Sequence, residues 1–100
     1  MIHRDQLVAA CDHQLRAAEF KDFTINGLQV AGSEHVKRIM TGVTACQALL
    51  DEAVAWQADM VLVHHGYFWK NEPVAITGMK QRRIKTLLDH DISLLAYHLP

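Results

Sequence analysis

Apolar residues recur along this chain in two rhythms. Leu7, Val8, Cys11 and Leu15 follow helical spacing, which predicts an opening amphipathic helix ending near Phe20. Asn26-Gly27 predicts a turn. Val36 to Val43 reads as a strand, and Thr44 followed three residues later by Gln47 is a capping-box pattern for a second helix. Ala45, Ala48, Leu49 and Ala53 lie on one side of that helix, small enough to pack closely on a sheet. Met60 to Val63 is a short continuous apolar run, as a strand covered on both faces requires. Ile84, Leu87 and Leu88 mark a third helix between about Met79 and His90, and Ile92 to Tyr97 is a further strand.

Strand, helix, strand, helix, strand is the doubly wound order. It predicts the α/β class, a βαβαβ core preceded by an N-terminal helix, with a mainly parallel sheet, right-handed crossovers and helices on both faces. Residues 1–100 contain no repeat, linker or low-complexity segment and read as one domain. Pro100 follows directly on a strand, with no later helix to cover that strand's outer face. The expectation is an N-terminal α/β domain or fragment of a larger protein, or a chain that associates with a partner.

Composition narrows the function classes. Half of the 100 residues are hydrophobic and 21% are charged, the balance of a folded rather than a disordered chain. A net charge of -1 removes the electrostatic case for nucleic acid. Lys80, Arg82, Arg83 and Lys85 cluster locally and read first as a solvated helix face, second as an anion patch. No apolar run approaches the roughly 18 residues of a membrane span, and Asp5 and Asp12 interrupt the stretch a signal peptide needs, so a cytoplasmic protein is expected. Cys11 and Cys46 lack CxxC spacing and read as reduced, buried thiols.

The chemistry gathers at histidines. His64 and His65 directly follow the Met60–Val63 run and precede Gly66, and His98 ends the Ile92–Tyr97 run in the same way. Ligands collect at the carboxyl ends of strands in such sheets. Successive strand side chains point to opposite faces, so both histidines serve one site only where the strand has ended. Gly66 permits that departure through backbone angles closed to other residues. Taken alone, the dipeptide reads first as one hydrogen-bonded core histidine beside an exposed one, because a zinc site needs three or four ligands. His98 shifts that balance. It either ligates a metal directly or hydrogen-bonds a ligand or substrate without touching the metal. Adjacent, slightly diverging histidines could each hold one ion of a dinuclear pair.

His3, His13 and His35 read as surface residues, and His90-Asp91 is set aside as a helical phosphohydrolase pair because it falls at a helix end before a strand, in an α/β rather than all-α pattern. No Gly-rich phosphate loop, Gly-x-Ser-x-Gly elbow or His-Glu-x-x-His helix occurs. Tyr67, Phe68 and Trp69 read as a packed loop or subunit contact that could also wall a pocket beside the histidines.

Asn26-Gly27-Leu28-Gln29-Val30, Thr41-Gly42-Val43-Thr44, His64-His65-Gly66-Tyr67-Phe68-Trp69-Lys70, Gly78-Met79-Lys80 and His98-Leu99-Pro100 resemble, in order and spacing, the N-terminal part of the Nif-three-like proteins. Bacterial members of the YbgI type bear the name GTP cyclohydrolase 1 type 2 homologue. The resemblance implies an α/β fold, a dinuclear metal centre and dimers assembled into a toroidal hexamer. It also implies that His64 and His65 are metal ligands and that His98, matching the histidine of a His-x-Pro-Leu-Asp motif, lies beside the metals. The motif's aspartate would fall two residues beyond Pro100, and further His and Glu ligands belong to the family's C-terminal part.

The expected function is therefore a dinuclear-metal-dependent hydrolase, in which two divalent ions activate a water toward a small-molecule substrate. Zinc, iron and manganese all suit imidazole with carboxylate. These 100 residues alone would leave each ion short of ligands. The rival expectation is a non-catalytic regulatory or scaffold protein in which metals stabilise a ring oligomer.

Overall fold

The computed structural model describes residues 1–100. The chain opens with β1 (Ile2–His3), α1 (Arg4–Leu15) and a 3-10 turn (Ala17–Glu19). It continues through β2 (Gly27–Val30), β3 (His35–Val36), β4 (Ile39–Thr41), α2 (Gln47–Trp56), β5 (Met60–Val63), α3 (Gly78–Asp89) and β6 (Ser93–Ala96). The main sheet runs β2-β6-β5-β4. β4, β5 and β6 are parallel, as expected, and β2 adds an antiparallel edge. The fold is thus α/β with a mixed, mostly parallel sheet.

The alternation along the two central strands divides the core. Val61, Val63, Leu94 and Ala96 face α2 and α3 and pack with Leu50, Ala53, Ile84 and Leu87. Met60 and Leu95, with Tyr97 beyond the strand, face α1 and pack with Leu7, Val8 and Cys11. Helices therefore cover both faces. β6 is buried along its whole length, which corrects the expectation that the final strand lacks cover. The opening helix, first in sequence, folds back over the sheet to supply it.

Four local expectations give way to specific contacts. The opening helix stops at Leu15, not near Phe20, because Arg16 takes a left-handed conformation (φ 53°) and its N–H bonds back to the Asp12 and His13 carbonyls. Asn26-Gly27 is no turn. Gly27 (φ 105°) starts β2 and pairs with Ala96. The strand expected over Val36–Val43 is cut in two. One carboxylate oxygen of Asp59 accepts from the N–H groups of both Lys37 and Arg38, at 2.8 and 2.9 Å, so β3 leaves to pair with β1 while β4 stays with β5. Thr44 does not cap α2. Its backbone is engaged in a parallel bridge to His65, the chain stays extended, and Cys46 becomes the cap residue without a side-chain bond. Gln47 instead reaches Asp51 and Thr86, the latter on α3.

Cys11 and Cys46 are half-buried and unbridged. No helix is long and apolar enough to cross a membrane.

Candidate metal centre

The end of β5 sets the first two histidines. Past Val63 the N–H groups of His64 and His65 both donate to the Val43 carbonyl, at 3.0 and 2.8 Å, while Ala45 N–H donates to the His65 carbonyl at 2.9 Å. Two consecutive donors on one acceptor break the strand's alternation, so neighbouring side chains no longer point to opposite faces. The two rings lie 4.1 Å apart, centroid to centroid, tilted by 44°. His98 arrives from the end of β6, stacked 5.0 Å from His64 and tilted 5.6 Å from His65. One ring nitrogen from each of the three lies within 4.8 Å of the others.

Hydrogen bonds decide which nitrogens are free. His64 Nδ1 lies 3.3 Å from the Tyr97 carbonyl oxygen, which only accepts, so Nδ1 donates and Nε2 keeps its lone pair. His98 Nδ1 meets a carboxylate oxygen of Asp22 at 2.9 Å. His65 Nδ1 faces the Thr44 hydroxyl at 3.4 Å, a weak contact. Metal-binding histidines characteristically spend one ring nitrogen on a carbonyl or carboxylate in this way.

Asp22 is the polar hub behind the cluster, with a side chain only 2% exposed. Oδ1 accepts from Phe23 N–H at 2.6 Å and from His98; Oδ2 accepts from Asn26 Nδ2 at 3.0 Å and from Leu99 N–H at 2.9 Å. Burial alone would raise this carboxyl's pKa. The bonds from Asn26, His98, Leu99 and Phe23 outweigh that and hold it well below the usual carboxylate range. The His65 pKa is lowered from the ordinary imidazole value, first by desolvation and then by repulsion from any positive charge on the neighbouring His64 and His98 rings, a direction that favours the unprotonated form that coordinates metal.

The aromatic loop walls the centre. The Trp69 ring stands edge-on to His98 at 4.9 Å, and its Nε1 donates to the Gly66 carbonyl at 3.3 Å. Gly66 is required for a different reason from the one expected. Its φ is not in the left-handed region, and the positive φ of this loop falls on Phe68 (64°). A Cβ at Gly66 would instead overlap the Gln29 amide and the Ala96 side chain, the latter at 2.8 Å. Gln29 sits at a β-bulge between Leu28 and Val30, and such bulges re-aim a side chain. Here Oε1 accepts from Tyr67 N–H at 2.7 Å.

The structure thus brings together His64, His65 and His98, the three histidines singled out from the sequence, and leaves the others apart. His3 caps α1 by accepting from Asp5 N–H, His13 and His35 are exposed, and His90 bonds the Thr86 carbonyl. Lys80 is largely buried, reaching Glu72 and the Pro73 carbonyl with its ammonium over the Phe68 ring, and Lys85 pairs with Asp89 at the surface, which accounts for two of the clustered cations locally. Asp22, Asn26, Gln29 and Thr44 escaped the sequence reading as site residues. Asn26, Gln29 and Thr44 lie within the motifs that carry the family resemblance, which could have flagged them, whereas Asp22 had only its proximity to Asn26-Gly27. A cavity of ≈ 420 Å³ opens beside His64 and His98, lined also by Leu62, Val63 and Pro100. A larger concavity, ≈ 760 Å³, lies against α1 and contains no member of the histidine cluster.

The donor set suits a divalent transition metal. Asp22 is not a spare ligand, because both of its oxygens are already committed.

The fold and this cluster define an α/β protein with a polyhistidine centre at the sheet's carboxyl edge, and comparison places it among known proteins. Residues 2–100 match the Duf34/NIF3 (NGG1p interacting factor 3) family, and the chain belongs to that family. It is 60% identical over 95 residues to the GTP cyclohydrolase 1 type 2 homolog of Yersinia pestis, covering 95% of this chain and 38% of that protein. It is 64% identical over 94 residues to the homolog of Pseudomonas aeruginosa, covering 94% of this chain and 37% of that protein. Among solved structures, protein ybgI, described as of unknown function, superposes with a TM-score of 0.97 at 54% identity, over 99% of this chain and 40% of that one. TTHA1606 from Thermus thermophilus gives 0.94 at 40% identity, over 99% and 41%. The chain therefore spans about two-fifths of the length of these relatives.

Proposed function

We propose that His64, His65 and His98 form the imidazole part of a divalent-metal centre in a hydrolase acting on a small molecule. The observation that carries this reading is the convergence of one ring nitrogen from each of three histidines within 4.8 Å, together with Nδ1 contacts of His64 and His98 to an oxygen acceptor. The His64 and His65 ring planes are tilted by 44°, so each can serve a different ion of a pair, with carboxylates from elsewhere in the whole protein completing the set. Zinc, iron and manganese all suit such ligands. A metal bound there supplies Lewis acidity and a water acidified toward neutral pH.

The chain's own residues contribute position and protection. Trp69 and the Gly66–Phe68 loop wall one side, and the cavity beside His64 and His98 gives a small molecule access. With its Nδ1 held by Asp22, His98 presents Nε2 either as a ligand or as the group that orients substrate and takes up a proton. The name borne by the relatives makes GTP the first substrate to test, with formate release as the signature of ring opening.

Metal content of the full-length protein tests the proposal. Wild type is expected to retain divalent metal after dialysis, and the His64→Ala/His65→Ala double variant to lose both metal and hydrolysis while keeping its helical signal. Normal occupancy in the double variant would overturn the assignment.

A further inference from the structure

The Asp22–His98 pair joins two segments far apart in the chain. Asp22 lies in the stretch before β2 and His98 follows β6, yet the carboxylate accepts three fixed N–H donors, from Phe23, Asn26 and Leu99, and its Oδ1 meets His98 Nδ1, so that each oxygen has two partners. Asn26 closes the junction from the other side, its Oδ1 accepting from His98 N–H at 2.8 Å while its Nδ2 donates to Asp22. His98 is consequently held through both backbone and ring.

We propose that Asp22 is a positioning residue that fixes His98 as its Nδ1–H tautomer, so that Nε2 is the nitrogen it offers beside His64 and His65. The inference rests on the metal-centre reading for its purpose, but its geometry stands apart from it. An ionised carboxylate has no hydrogen to give. A nitrogen 2.9 Å from Asp22 Oδ1 must therefore bring its own, and in a neutral ring that leaves the lone pair on Nε2.

Asparagine cannot reproduce this arrangement. Its single oxygen can satisfy the two donors on one side only, and its NH2 group then faces the two on the other. With oxygen toward His98, the NH2 opposes Asn26 Nδ2 and Leu99 N–H. With NH2 toward His98, only Phe23 N–H is opposed, against two donors in the other orientation, so this orientation is favoured: the ring must accept at Nδ1 and the hydrogen moves to Nε2, where it blocks coordination. Asn26→Ala serves as the structural control, since it removes two hydrogen bonds from the same junction while leaving the carboxylate against the ring.

The test is long-range 1H–15N correlation of the imidazoles in the metal-free full-length protein, with zinc titration alongside. In wild type His98 is expected to be protonated at Nδ1 and unprotonated at Nε2. Asp22→Asn should convert it to the other tautomer or a mixture without altering His64, and should weaken zinc binding by about 10- to 100-fold. Asn26→Ala should keep the wild-type tautomer and lose less affinity. Wild-type His98 carrying its hydrogen on Nε2, an unchanged tautomer in Asp22→Asn, or equal zinc losses in the two variants would each overturn the proposal. If Asp22→Asn fails to fold, the tautomer in wild type and in Asn26→Ala still decides. Failure of wild type to bind zinc would overturn the metal reading, while the metal-free spectra would still judge Asp22.

Discussion

The Gln29 side-chain oxygen accepts from the backbone N–H of Tyr67 at 2.7 Å, directly under Gly66. This one bond ties the bulged edge strand to the histidine loop. It also explains why a glycine follows the His64-His65 pair, since nothing larger fits between Gln29 and Ala96.

Gly66→Ala should therefore displace the loop without unravelling the sheet. Forcing a methyl group into a filled site costs about 1–3 kcal/mol, which chemical denaturation would measure. Gln29→Ala should cost a similar amount, about 1–3 kcal/mol, by leaving the Tyr67 N–H without its partner. Because both substitutions loosen the same contact, their effects should not add. A double variant as unstable as the sum of the two would count against a shared contact.

The three parallel strands, the helices after β4 and β5 and the histidine cluster were legible in the sequence because each depends on local periodicity or on position at a strand end. Asp22 was not, because its role depends on meeting His98 across most of the chain. Gln29 lay in a stretch where no strand was expected, and only the β2–β6 register creates the bulge that aims it. Thr44 carried a genuine capping signature, but a tertiary bridge to His65 outcompeted the local bond. Cover for β6 was likewise invisible, since it comes from the opening helix rather than from a helix that follows.

Leu94 and Leu95 test that cover. They are adjacent on β6, point to opposite faces and are both fully buried, Leu94 among residues of α2 and α3 and Leu95 among residues of α1. Leu94→Ala and Leu95→Ala should each cost about 2–5 kcal/mol in urea unfolding, whereas Leu88→Ala on the exposed side of α3 should stay within about 0.5 kcal/mol. A cheap Leu95→Ala would mean that α1 does not seal its face.

Asp59 marks where the chain changes sheets. Its Oδ2 holds the N–H groups of Lys37 and Arg38, and its own backbone carbonyl accepts from Ser93 N–H at 3.0 Å. Asp59→Ala should cost about 1–3 kcal/mol, the worth of charge-assisted bonds at a partly exposed site. Amide exchange should accelerate first at Lys37 and Arg38 while the β5–β6 ladder stays protected. Uniform acceleration across the sheet would show that Asp59 supports the whole fold rather than the strand break.

The two tyrosines predict the alkaline behaviour. Tyr67 donates its hydroxyl to the Ala45 carbonyl at 2.7 Å and Tyr97 to Asp12 at 2.6 Å, and both are nearly inaccessible. Burial raises both phenols far above the ordinary value of 10.0, reinforced at Tyr97 by the hydrogen bond and charge of Asp12, while nearby Arg83 only partly offsets the rise at Tyr67. The unfolded chain releases these protons near pH 10, but the folded chain retains them. Their contribution is therefore fully present below that pH and is lost progressively above it. Tyrosinate absorbance should appear only together with loss of the helical circular-dichroism signal, in one cooperative step above about pH 10. Tyr97→Phe removes one of these groups, so the variant should lose less stability between neutral and strongly alkaline pH than wild type does. A smooth, independent tyrosine titration with the fold intact would show that these hydroxyls are not locked as described.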